Sequence, residues 1–352
     1  MSSPSPSPAE PLAARIAALP KAELHLHLEG AIEPSTVVEL AARYGHAIEA
    51  GQVAARYATR DFSAFIEAYK WVTSYLRSPE DYALVARELA ERLLAQNVVY
   101  AEVTLSVGVM LFRKQDVAAN FRAVREVVCG FESLGLRLQW IFDCVRQFGS
   151  VPAMHAARIA VELRDEGVIA FGIGGDELAV PAAEFRSVFD FAAAGGLHRL
   201  AHAGEIGGPE SVRDALELLG AERIGHGIAV TRDPALAAIL RDRSIPLEIC
   251  PTSNLRTGAL ACQIGRDEAD LYHHPLPDLL RADVPLSVST DDPSMFETDL
   301  QREYLSLIQM GLTPQELVQV AAAGFEGAFL PPAAKAAYLD AFHDRAAALR
   351  LL

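Results

Sequence analysis

Residues 23–30 read Glu23-Leu24-His25-Leu26-His27-Leu28-Glu29-Gly30. Leucine alternates with polar residues, the period-two pattern of a β-strand, and side chains two apart on a strand share a face. His25 and His27 can therefore meet one ion. Two imidazoles turned inward at a strand end are costly to bury unless something satisfies them, and a metal does so. A histidine pair at this spacing also arises by chance as two solvated or hydrogen-bonded rings, so the motif needs support from the rest of the chain.

Repetition supplies the first support. Short apolar, β-branched runs occur eight times, at 22–28, 98–106, 136–145, 168–173, 199–203, 223–227, 246–250 and 285–290. Segments of helical period lie between them, among them 79–96, 181–194, 209–219 and 234–241, each opened by proline. Strand and helix alternating eight times predicts an α/β chain whose parallel sheet closes into a (β/α)8 TIM barrel. The first and second runs are too far apart for one crossover, and 35–44 and 61–75 read as extra helices over the barrel mouth. The stretches 301–311, 313–323 and 331–351 read as C-terminal helices. No Gly- or Ser-rich linker divides the chain, which predicts a disordered Ser/Pro tail at 1–12 and one domain at 13–352. An open doubly wound sheet is the alternative, weakened by the missing Gly-x-Gly-x-x-Gly turn after the first run.

The bulk composition narrows the functional classes. With 352 residues, 51% of them hydrophobic, the chain can bury the core of one large barrel. A net charge of −15 argues against nucleic-acid and anionic-membrane partners and favours a small neutral or weakly cationic substrate. No apolar run approaches the ~20 residues that span a bilayer. The N-terminus lacks the basic start and apolar stretch of a secretory signal, so a cytoplasmic location is expected. Cys129, Cys144, Cys250 and Cys262 form no Cys-x-x-Cys pair and are expected as buried free thiols. A homo-oligomer is left open.

Chemistry in such barrels sits at the C-terminal ends of the strands, where this chain concentrates its polar residues. The first run ends in His25 and His27, the fifth in His202-Ala203-Gly204-Glu205, the sixth in Gly225-His226-Gly227, the eighth in Ser289-Thr290-Asp291-Asp292. Three imidazoles and one carboxylate suit a single zinc ion and leave room for an activated water. A second metal is disfavoured: barrels with two zinc ions typically bridge them through a modified lysine. Lys21, Lys70, Lys114 and Lys335, the only lysines, do not end a central strand.

The runs Pro20 to Gly30, His202 to Glu205, Gly225 to Gly227, Cys250-Pro251-Thr252-Ser253-Asn254 and Thr290-Asp291-Asp292-Pro293 resemble, in this order, the adenosine deaminase family of the amidohydrolase superfamily. The resemblance implies a mononuclear zinc barrel that hydrolyses the 6-amino group of a purine. His25, His27, His202 and Asp291 match the family's zinc ligands, and Glu205, His226 and Asp292 its catalytic residues. In these roles Glu205 protonates N1 of the purine, His226 orients the nucleophile and takes part in its proton transfer, and Asp292 holds N7. Gly175, in Gly174-Gly175-Asp176-Glu177, aligns where a backbone N–H meets N3, a close approach that glycine allows.

Departures from the family pattern bear on the substrate. Glu29 stands where many adenosine deaminases carry a ribose-contacting Asp, and Gly172 also replaces an Asp. Ile224-Gly225-His226-Gly227 differs from the Asp-His-Gly usual in adenine deaminases. Asp143-Cys144-Val145-Arg146-Gln147-Phe148-Gly149 resembles bacterial members that deaminate 6-aminodeoxyfutalosine, whose benzoate carboxylate Arg146 would pair. A purine nucleoside is thus the expected substrate, with free adenine as the alternative. A non-catalytic binding protein on the same barrel is a distant third, having no need for the whole constellation. Other polar residues receive plainer readings. His273 and His274 begin an exposed helix, His198 is structural, Asp176 and Glu177 are solvated acids or a helix cap, and Phe65 and Trp71 pack in a core or face substrate.

Overall fold

All eight runs form parallel strands: β1 Lys21–His27, β2 Val98–Leu105, β3 Arg137–Val145, β4 Val168–Gly174, β5 His198–Ala203, β6 Arg223–His226, β7 Leu247–Ile249 and β8 Leu286–Val288. This computed structural model describes residues 11–352; most of the expected Ser/Pro tail lies outside the described residues, and a helix, Leu12–Ala17, begins one residue before the expected domain start. The strands lie side by side in sequence order. The sheet closes where His27 N–H donates to the Asp291 carbonyl at 2.8 Å and Asp291 N–H to the His25 carbonyl at 2.9 Å. The fold is the (β/α)8 barrel.

Strands β7 and β8 are shorter than the apolar runs that carry them. Pro246 and Pro285 have no N–H to give a ladder, and the polar residues after each strand leave the sheet. In β1 the pairing with β2 shifts between Glu23 and Leu26. There Leu24 and His25 both donate backbone N–H to the Ser289 hydroxyl, at 3.2 and 3.1 Å. Such an irregularity re-aims side chains, here at the first ligand-type residue of the chain.

The main apolar core fills the layer between strands and helices, while Ile141, Ala170 and Leu200 make a small cluster of their own. Pro34–Arg43 and Phe62–Val72 are the two expected helices after β1; the latter is capped by Asp61, whose carboxylate accepts Ala64 N–H at 2.8 Å. A third helix there, Ala50–Tyr57, was not legible: Ala50 and Gly51 open it without apolar periodicity, and the Glu49/Gln52 capping box starts it instead. Three helices, Leu300–Gln309, Pro314–Gly327 and Pro332–Ala348, close the chain as expected.

Candidate active site

The ends of β1, β5, β6 and β8 deliver their polar side chains to one point. His25 Nε2 and His27 Nε2 each lie 3.4 Å from Asp291 Oδ1. His25, His27 and His202 have ligand atoms within 4.8 Å of one another, as do His25, His226 and Asp291. An ion about 2.1 Å from tetrahedral donors sets them about 3.4 Å apart. His25 supplies a second sign of fit: its Nδ1 is held by Glu248 Oε2 at 2.8 Å, while its buried Nε2 has no hydrogen-bond partner. A carboxylate on one ring nitrogen, with the other turned to the centre, is the arrangement of a metal-ligating histidine; against the cost of burial, Asp291 and Glu248 raise the His25 pKa to about 10, so an ion there would displace a proton. Burial lowers the pKa of His27 to about 4 and that of His202 well below the usual range, leaving neutral rings able to ligate. Asp291 is also buried, but the neighbouring His25 outweighs that penalty and holds its pKa well below the usual carboxylate range. Ser253 Oγ fixes its Oδ2 at 2.6 Å.

Backbone strain marks the same place. His226 and Asp291 hold left-handed conformations, with φ of 61° and 65°, in a region that branched-off side chains avoid. Both sit where a strand ends and the chain must turn without moving its side chain from the centre.

Glu205 and Asp292 line one cavity with His27, His202, His226 and Asp291. Glu205 Oε2 lies 3.6 Å from His226 Nε2. Burial, then the charges of Asp291 and Glu177, raises the Glu205 pKa well above the usual carboxylate range, which favours its acid form. Burial and neighbouring Asp291 raise Asp292 likewise. Asp292 Oδ1 is buried without a partner and lies against Gly30, where an added Cβ would fall 1.7 Å from that oxygen. The rest of the wall includes Phe62, Phe65, Ile66, Tyr69 and Phe148, with Lys70 as its cation.

Gly175 lines the cavity with φ of 91°, and a Cβ there would come within 2.3 Å of Gln147 Oε1. Glu29 is not in the wall. It is buried behind it, accepting Ser106 N–H at 3.0 Å and the Tyr69 hydroxyl at 3.4 Å. Arg146 does not reach the mouth: its buried guanidinium donates to the carbonyls of Val180 and His202 at 3.4 and 3.3 Å. The chain turns inward into a short 3-10 segment, Arg146–Phe148, and the nearest acceptors are backbone.

Several residues matter here that sequence reading passed over or read differently. Glu177, expected as a solvated acid or a helix cap, is buried, and its carboxylate accepts the N–H groups of Gly204, Glu205, Ile206 and Gly207 at 2.5 to 3.2 Å. It thereby shapes the turn that carries Glu205. Asp143 lines the cavity with Oδ1 unpartnered, its pKa raised by burial and the Glu29 charge. His274 is buried rather than exposed, and of the four free cysteines Cys129 and Cys262 are exposed. Trp71 stacks under Arg56, whereas Phe65 does face the cavity. His198 is structural, stacked on Phe329 at 4.1 Å and bonded to Glu222.

The profile of the adenosine deaminase family matches residues 20–345. An aminodeoxyfutalosine deaminase of Streptomyces coelicolor is 40% identical over 94% of this chain and 85% of its own. An adenine deaminase of Chelativorans is 34% identical over 90% of this chain and 96% of its own. A crystal structure of an amidohydrolase from Burkholderia ambifaria with bound zinc superposes with a TM-score of 0.84 at 26% identity, covering 99% of this chain and 98% of that one. The chain belongs to the adenosine deaminase family, hydrolases that act on a carbon–nitrogen bond of a cyclic amidine. No helix among the described residues is long and apolar enough to cross a membrane.

Proposed function

We propose that this enzyme binds one zinc ion through His25, His27, His202 and Asp291 and deaminates a 6-aminopurine nucleoside, with an aminodeoxyfutalosine-like nucleoside as its substrate. The observation that carries the reading is geometric: a buried acid, Glu205, 3.6 Å from His226 Nε2, beside three imidazoles and Asp291 whose ligand atoms converge. Zinc held there would supply Lewis acidity, making water a competent nucleophile near neutral pH.

The protein's own groups do the rest. Glu205 donates its proton to N1, which makes C6 electrophilic. His226 aligns the attacking oxygen, and Asp292 receives the N7 side of the ring, its unpartnered Oδ1 being the free group. The backbone N–H of Gly175 serves N3. Ammonia leaves from C6. The aromatic wall of Phe62, Phe65 and Phe148 excludes water and offers apolar faces to the part of the substrate beyond the purine. Lys70, in the cavity wall, provides a counter-charge for an anionic substituent, the role that the sequence predicts for the buried Arg146. Exposure of Lys70 and its pairing with Glu67 at 2.7 Å limit what that charge contributes.

Higher identity to the Streptomyces relative than to the adenine deaminase favours the nucleoside over the free base. A deamination screen of 6-aminodeoxyfutalosine, adenosine, deoxyadenosine and adenine tests this. The expected result is the highest kcat/KM on 6-aminodeoxyfutalosine. A higher value on adenine would replace the nucleoside reading, and a higher value on adenosine would remove the carboxylated arm from it.

A further inference from the structure

We propose that a buried pair, His274 and Asn254, fixes His226 in the tautomer that carries its proton on Nε2, so that His226 meets the attacking oxygen only as a hydrogen-bond donor and Glu205 moves the protons.

The direction of each bond follows from one unambiguous donor. Leu276 N–H can only donate, and it lies 3.1 Å from His274 Nδ1, which must therefore accept. The neutral His274 ring then has its proton on Nε2. That nitrogen lies 3.3 Å from the Asn254 side chain, which must present its carbonyl oxygen, Oδ1. The amide group of Asn254 is thereby oriented, and its Nδ2 faces His226 Nδ1 at 3.1 Å. An amide NH2 donates. His226 Nδ1 accepts, and the proton of the neutral ring resides on Nε2, the nitrogen aimed at Glu205 Oε2 and Asp291 Oδ2 at 3.6 and 4.0 Å.

The three side chains come from separate elements: His226 from the end of β6, Asn254 from the helix Pro251–Arg256 after β7, and His274 from the loop before the helix Leu276–Arg281. His226, Asn254 and His274 are 1%, 0% and 4% exposed, so water does not offer alternative partners. Burial also lowers the His274 pKa to about 3, which keeps that ring neutral.

The chemical consequence rests on the deaminase reading. A ring already protonated on Nε2 cannot take a proton there. Glu205 gives its proton to N1 as the C6–O bond forms, and takes one from the attacking oxygen. It passes that proton to N6, the C6–N6 bond breaks, and ammonia leaves. The second proton of the original water returns Glu205 to its acid form as C6=O forms. His226 holds the oxygen and does not exchange protons with it, and Asn254 and His274 are positioning residues.

The test reads the tautomer without substrate. In protein labelled with 15N in the imidazoles and supplied with zinc, long-range 1H–15N correlation distinguishes protonated from unprotonated ring nitrogens, with His226 assigned by its loss in His226→Gln. The expected spectrum has protonated Nε2 and unprotonated Nδ1 for both His226 and His274. In Asn254→Asp the new carboxylate oxygen accepts from Nδ1, and the two nitrogens of His226 exchange character. In His274→Phe, which keeps an aromatic ring but frees the Asn254 amide, both tautomers of His226 appear and kcat falls about ten- to a hundredfold with little change in KM. Protonated Nδ1 in the wild type overturns the proposal, and so does an unchanged single tautomer in either variant. A failed substrate screen leaves this measurement untouched.

Discussion

The two ends of the barrel bury charge in opposite ways. Near the N-terminal end, Arg223 is completely enclosed, yet every direction is answered: Nε meets Glu248, Nη2 meets Glu102, each at 2.5 Å, Nη1 meets the Gly327 carbonyl, and the guanidinium lies 3.8 Å over Phe329. Lys21 similarly donates to the carbonyls of Ala17, Leu19 and Gln96. At the C-terminal end, His25 Nε2, Asp143 Oδ1 and Asp292 Oδ1 are buried with nothing to bond. A saturated network holds a scaffold, whereas groups left open are available to something that arrives. Glu248 belongs to both ends, with one oxygen on Arg223 and the other on His25.

If this contrast is sound, variants at the two ends should separate activity from stability. The largest effect is expected for Glu205→Gln, which keeps metal and fold but cannot supply the proton; turnover should drop at least about a thousandfold. Retained turnover within about tenfold, with metal content verified by elemental analysis, would place the acid elsewhere. Arg223→Met should act in the other currency. It leaves Glu102 and Glu248 without their cation and is expected to lower unfolding free energy by about 3–5 kcal/mol in a denaturant titration. A loss of activity at full stability would mean that the floor contributes to chemistry directly.

Glu303 belongs to neither end, and it tests whether burial without a counter-charge has a pH signature. Its carboxyl accepts the Thr252 N–H and the Thr298 hydroxyl, and burial raises its pKa to about 7. The folded state then binds a proton that the unfolded state has released above the usual value near 4.5. Stability therefore falls as pH rises from about 4.5 to about 7, by at most about 3 kcal/mol. Burial raises Glu23 and Glu29 to about 7 as well, so Glu303→Gln should make that slope shallower by one group's share, and a wild-type stability profile already flat across this window would remove the effect. Glu177→Gln sharpens the comparison furthest, because Glu177 sits at the active end but is saturated like the floor. Its new NH2 would face backbone N–H donors, tilting the turn under Glu205, and kcat should fall about tenfold with metal content unchanged. An unaltered kcat would assign the clamp to stability alone.

Much of this is legible in the sequence, and the boundary has a physical origin. Strands carry their own signal in period and β-branching, so all eight runs lie where they were expected, with ends that differ by one or two residues. The four residues expected to hold zinc stand at strand ends, a place that the fold class itself specifies. Partners joined only through space left no such trace. Glu177 reads as a loop acid until the turn at Gly204 is wrapped around it, and His274 before Pro275 reads as surface until Asn254 covers it. Arg146 failed for the complementary reason: its position on β3 was right, but side-chain direction depends on which acceptors the neighbouring strands bring near.

The left-handed backbone at His226 and Asp291 has a consequence for how such a protein evolves. Glycine would adopt both conformations freely, relieving roughly 1 kcal/mol or more at each position. Both replacements would also erase the side chains that the centre requires. Purifying selection for turnover must therefore act continuously against a drift toward easier folding. A lineage released from that demand would shed its chemistry first at these two positions, while its barrel became no less durable.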